Sequence, residues 1–179
     1  MGVCWLAEYK AYAFPERDGH GEVCGMVLGF EDGRMASFEG VRRGLSLPIG
    51  WRERPGPLYI CDGLLDTAAA TKMGYRAIGR PPIGDVIADL VTLLCTVPGD
   101  IAVIAGFDQQ GQQLNDSRNL AAELGRHLLR NVTVHELPKN FENLRSFFRK
   151  FQREQDAIDL AELQSFEEID EESETDDID

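Results

Sequence analysis

Two acids four residues apart, Asp62 and Asp66, stand where a short apolar run meets a helical stretch. Leu58 to Cys61 is strand-like, Gly63 supplies a tight turn, and Leu65 onward is rich in alanine. That order displays both carboxylates at the carboxyl end of a strand, where open α/β sheets take their ligands. A second run, Ile101 to Ala105, ends alike at Gly106-Phe107-Asp108-Gln109-Gln110-Gly111. Acids from two strand ends facing one crevice are the chemistry of a divalent cation and a phosphate.

The elements that must position these acids are legible around them. From Leu58 the rhythm is strand 58–61, helix 65–73, strand 76–78, helix 84–95, strand 101–105, helix 116–129, strand 132–136 and helix 141–155. Strands separated by helices of this length require a parallel sheet covered on both faces. Ahead of it, residues 11–40 read as short antiparallel strands at 11–14, 23–30 and 35–38, with Glu31-Asp32-Gly33 as a hairpin turn. Apolar spacing through Phe141, Leu144, Phe147, Phe148 and Phe151 marks the last helix as amphipathic, its aromatic stripe meant for core packing. The chain thus divides into a β-rich lead-in with an arginine-rich loop (1–57), an α/β domain (58–155) and an acidic tail (156–179).

The net charge of −13 belongs to the tail, which holds twelve acids and no lysine or arginine. The other nineteen acids nearly balance eighteen bases, so the body is electrically mixed. Poor apolar content and self-repulsion predict disorder for Glu167–Asp179, whereas Asp159 to Phe166, with Leu160, Leu163 and Phe166, could prolong the last helix or dock on a partner; a solubilising tail is the plainer alternative. Arg34, Arg42, Arg43, Arg52 and Arg54 crowd the approach to the first acidic strand and could contact a polyanion; ion pairing on a solvated face is the plainer alternative. No apolar run nears the roughly 18 residues that cross a bilayer, and no secretory signal is expected from the N-terminus. Four scattered cysteines without Cys-x-x-Cys spacing exclude a zinc ribbon and fit a reducing cytoplasm, with Cys61 and Cys95 expected as buried thiols. Nothing groups His20, His127 and His135 into a metal site. Each acid also has a structural alternative: Asp62 or Asp116 as a helix cap, Asp66 against a helix dipole, Asp108 as a turn residue.

Taken together, these motifs resemble the TOPRIM domain of bacterial and phage primases, topoisomerases and some nucleases. The family shows a strand ending in Glu-Gly with an Asp three residues after the Gly, then a helix and a Gly, and a later strand ending in Asp-x-Asp followed by Gly. Asp62-Gly63-Leu64-Leu65-Asp66 with Gly74 matches the first motif, and Gly106-Phe107-Asp108 with Gly111 the second. Gly79-Arg80-Pro81, the lead-in from Phe14-Pro15 to Arg43-Gly44-Leu45, and an ending echoed by Lys139-Asn140 and Asn143-Leu144-Arg145 are similar to primases and primase–helicases of phage and mobile-element type. The resemblance spans residues 12–150.

What it implies is a TOPRIM-like (Rossmann-like), mainly parallel four-stranded sheet flanked by helices, with a small antiparallel element ahead of it. It further implies Mg²⁺, or Mn²⁺, held by Asp62, Asp66 and Asp108, with Asp62 as the acid/base residue. Arg34, Arg42, Arg43, Arg52, Arg54, Arg80 and Lys139 would hold DNA or RNA. Two departures bear on the chemistry. Asp62 replaces the family's Glu, one methylene shorter, and Gly106 replaces the first Asp of the pair, which removes a ligand. Three functions stay open: a primase-related nucleotidyltransferase of DNA replication or mobile elements, a catalytically degenerate adaptor whose acidic tail engages a helicase or polymerase, and a TOPRIM nuclease.

Overall fold

The computed structural model describes residues 2–38, 40–81, 86–106 and 108–153. The acidic tail, the end of the 141–155 helix and the start of the 84–95 helix lie outside them. Among the described residues the chain forms two four-stranded sheets. The first is antiparallel in the order β1-β2-β3-β4, with β1 Cys4–Leu6, β2 Ala11–Arg17, β3 Val23–Phe30 and β4 Met35–Ser37. Gly33 turns the β3–β4 hairpin at φ +85°, as the Asp-Gly pair requires.

The second sheet consists of β5 Leu58–Asp62, β6 Arg76–Arg80, β7 Ile101–Ala105 and β8 Val132–Glu136, in the order β6-β5-β7-β8 with every pairing parallel. Side-chain alternation along β5 sends Leu58 and Ile60 to one face, where Leu90, Leu94, Leu120 and Leu124 of two helices cover them. Those helices are α2 Ile87–Leu94 and α3 Gln112–Leu128. Tyr59 and Cys61 go to the other face, against Ala70 and Met73 of α1 (Gly63–Lys72) and its C-cap and against Leu144 and Phe147 of α4 (residues 144–153). The last aromatic stripe is therefore packing surface: Phe141 and Phe147 meet edge to face at 5.1 Å.

One two-residue segment welds the sheets. Leu45 pairs with Arg17 of β2, and Ser46 pairs with Gly79 of β6. Gly79 must lack a side chain, because a Cβ there would strike the Thr67 hydroxyl on α1 and crowd the Gly63 carbonyl.

Three local readings change. Strand β1 is formed although Cys4-Trp5-Leu6 is too short to signal itself. Helix α3 begins at Gln112, four residues before the expected 116, because Asp108 caps it; Asp116 lies inside the helix rather than at its cap. Cys61 is buried as expected, but Cys95, just past the end of α2, is exposed. Among the described residues no helix is long and apolar enough to cross a membrane.

The end of α3 carries a backbone cost. Leu129 occupies the left-handed region (φ 52°) with its side chain 92% exposed, a place where glycine is the usual residue. Leu129→Gly should raise stability by about 1 kcal/mol and Tm by roughly 2–4 °C. Unchanged or lowered thermal unfolding would contradict this.

Candidate functional site

The carboxyl ends of β5, β6 and β7 open into a cavity of about 720 Å³ closed on its far side by β3 and β4 through Val27, Met35 and Ser37. Asp62 ends β5 and opens α1, its turn made by Gly63 at φ +73°. Its side chain makes no cap bond to α1. The parallel register instead sets Asp62 opposite Arg80, and an Arg80 Nη2 to Asp62 Oδ1 ion pair forms at 2.7 Å. The pair is a charge contact rather than an aligned hydrogen bond: Asp62 Oδ1 and Arg80 Nε are both buried without a hydrogen-bond partner. Burial raises the Asp62 carboxyl above its ordinary value; Arg80 opposes the shift and Asp116 on α3 adds to it.

Asp66 sits one turn later, 8% exposed, on the same wall. Its oxygens accept the backbone N–H groups of Leu144 (3.2 Å) and Arg145 (3.3 Å), the first residues of α4. Arg145 Nε stands 4.0 Å away. Asp66 thus caps α4 across 78 residues of chain. Its carboxyl too is raised by burial, against the pull of those two N–H bonds and Arg145.

Asp108 does not line the cavity. Oδ1 accepts from Gln110 and Gln112 N–H, and Oδ2 from Gln113 N–H at 2.6 Å. These bonds, that of Gln113 foremost, hold its carboxyl below 3.8. A group with a depressed folded-state pKa lends stability above its unfolded value and loses it as pH falls through the folded one. Asp108→Ala should therefore lower Tm at pH 7, with the gap to the parent closing as pH drops below 3.8; a gap persisting at about pH 2.5 would refute the capping role.

Gly106 has no room to be anything else. A Cβ built on it would overlap the Glu142 carbonyl of the turn before α4 and the Gln113 side chain. The protein's own backbone fills the space that a second acid would need.

The basic residues marked in the sequence do not form one surface. Arg34 pairs with Asp32, Arg42 with Asp89, and Arg43 grips both oxygens of Glu16 at 2.7 Å. Arg52 lies over the Trp51 ring, and Arg54 donates to the Thr71 carbonyl. Lys139 is exposed and away from the cavity wall. Only Arg43 and Arg80 of these seven reach the wall, joined by Arg145. Facing them are Asp62, Asp66, Asp116 and Glu142, so the cavity carries no surplus of positive charge. The Asn143-Leu144-Arg145 ending marks Arg145 in the sequence, whereas Glu142 carries no signal there; locally, Asn143 accepts the Ser146 N–H at 2.9 Å.

Magnesium asks for two or three converging carboxylates with lone pairs to spare. Here one acid is paired with arginine, one is bonded to the end of α4, one is turned to α3, and the fourth position is glycine. Among the described residues no group of three or more His, Cys, Asp or Glu side chains is arranged to hold a metal ion. The residues present do not fit the cation.

Solved structures share this architecture. The fold is primase-like. It resembles the DnaG primase catalytic domain bound to single-stranded DNA (18% identity, TM-score 0.57), covering 79% of this chain and 49% of that one. It also resembles the Escherichia coli primase catalytic core (19%, TM-score 0.57; 79% and 48% covered). A chain of the assembly in which bacteriophage T7 lagging-strand DNA polymerase interacts with primase domains of two gp4 subunits bound to an RNA/DNA hybrid and dTTP matches at 14% identity and TM-score 0.50, over 84% and 79%. The chain spans about half the length of the first two primase chains. No family model and no curated protein matches the sequence.

Proposed function

We propose that this chain is a primase-type module of DNA replication or mobile-element biology that serves as an adaptor for a replication protein, without metal-dependent nucleotidyl transfer. One observation carries the reading: of the carboxylates that the TOPRIM resemblance assigns to Mg²⁺, Asp66 and Asp108 accept backbone N–H groups and Asp62 is ion-paired with Arg80, while the Glu142 backbone occupies the missing ligand's place beside Gly106. The T7 assembly, in which primase domains interact with a DNA polymerase, supports the use of such a fold as a docking element. The mixed charge of the cavity wall, four acids against three arginines, supports a protein partner over a phosphate backbone, which needs a surplus of positive charge.

Titration of the full chain with Mg²⁺ or Mn²⁺, followed by amide NMR, should leave Asp62, Asp66 and Asp108 unmoved. In parallel, no primer synthesis or plasmid nicking should appear, and binding to single-stranded DNA at physiological salt should be weaker than about 100 μM, the feeble end of non-specific binding. Saturable shifts at those aspartates, with metal-dependent synthesis or nicking abolished by Asp62→Ala, would overturn the adaptor reading and restore the enzymatic one.

A further inference from the structure

A second groove, of about 420 Å³, opens along the 47–53 loop and shares no lining residue with the strand-end cavity. Its floor is apolar: Leu47, Trp51 and Leu93 are buried there, yet Ile49 beside them is 80% exposed. Ile49 is thus the apolar contact that this groove offers at its mouth. The rim carries two arginines, Arg17 and Arg52, and the imidazole of His20 against one acid, Glu53. Arg52 lies 4.6 Å over the Trp51 ring, which fixes its guanidinium at the edge of the floor.

The segment after Arg153 carries the complementary chemistry. Leu160, Leu163 and Phe166 recur every third residue among acids, within a stretch holding twelve acids and no base. We infer that this segment of the same chain docks in the groove, with Leu160, Leu163 and Phe166 on the Ile49–Trp51 floor and the neighbouring acids against Arg17, His20 and Arg52. Charge selects this groove over the cavity, whose wall holds four acids to three arginines. Length permits it: at ~3.3 Å per extended residue, Leu160 to Phe166 can lie about 20–40 Å from Arg153. A body of this size has a radius of gyration near 15 Å. The docked segment leaves the cavity open and is held partly by screened charge, so a basic partner protein can compete for it.

The test uses the full chain and its two tryptophans. Substituting Leu160→Ser, Leu163→Ser and Phe166→Ser together should shift the Trp51 indole N–H and Ile49 methyl NMR signals while Trp5 stays in place. Reciprocally, Ile49→Asp with Arg52→Glu should bring the amides of 160–166 to sharp, random-coil positions, and 0.5 M NaCl should move the parent toward the same spectrum. Ile49 and Arg52 are surface residues, so neither change threatens the fold. An unmoved Trp51 signal, shifts at Arg80 and Arg145 instead, or shifts that grow with protein concentration (a second copy's tail) would each overturn the inference.

Discussion

Replacing Gly106 by aspartate should lower stability by about 3 kcal/mol, roughly 6–12 °C in Tm, and should add no cation affinity. The change looks like a repair, since it restores the second acid of the Asp-x-Asp pattern. The geometry forbids it. The first atom added, Cβ, would overlap the Glu142 carbonyl oxygen, and that oxygen is backbone. Gln113 can swing its side chain aside, but the 141–143 turn cannot retreat without pulling Leu144 and Arg145 from the Asp66 carboxylate. Gly106→Ala should already show most of the loss, because the overlap begins at Cβ. Thermal unfolding with and without Mn²⁺ decides the matter: if Gly106→Asp unfolds within 1 °C of the parent, or gains several degrees from millimolar Mn²⁺, the turn is soft and the lost metal site is recoverable.

The second large effect falls on Asp66. Asp66→Ala should cost about 2 kcal/mol, or 4–8 °C, because it strips the cap from α4 and leaves two backbone N–H groups without acceptors beside the core. The damage should be local, with hydrogen exchange rising at Leu144 and Arg145 and little change in β5. Asp66→Asn keeps one acceptor oxygen and should retain about half of the lost stability. The pH dependence has the sign opposite to that of Asp108. Burial sets the folded-state pKa of Asp66 above its ordinary value, so folding takes up a proton there. Its ionisation penalty is relieved as pH falls through the folded value toward 3.8. Asp66→Ala should therefore remove a part of the protein's acid resistance. An Asp66→Ala variant as stable as the parent at pH 7 would show that the bonds to α4 contribute nothing, and the metal reading would regain that carboxylate.

The architecture was legible because each of its signals is local. Leu58–Cys61 and Ile101–Ala105 are apolar runs of strand length, the alanines after Asp66 favour helix, and Gly33 and Gly63 sit where φ must be positive. A parallel order with helices on both faces follows from that alternation alone. The same locality explains the misplaced start of α3: Gln112 and Gln113 carry no apolar signal, and the cap that starts the helix is Asp108, outside any window centred on 116.

What each aspartate does was another matter. The sequence by itself determined that Asp62, Asp66 and Asp108 would stand near the carboxyl ends of two neighbouring strands. It also determined that the arginines would precede them and that the charge would collect in the tail. Only the tertiary structure decided where the carboxylates' lone pairs went. Asp62 meets Arg80 because β5 and β6 pair in that register, and Asp66 meets the head of α4 from 78 residues away. Gly106 is held to glycine by a carbonyl 36 residues further on. A carboxylate at a strand end can bind a cation, an arginine or a helix N-terminus with comparable chemistry. The choice among them is made by whichever partner the fold brings within about 3 Å, and that distance is not a property of neighbours in sequence.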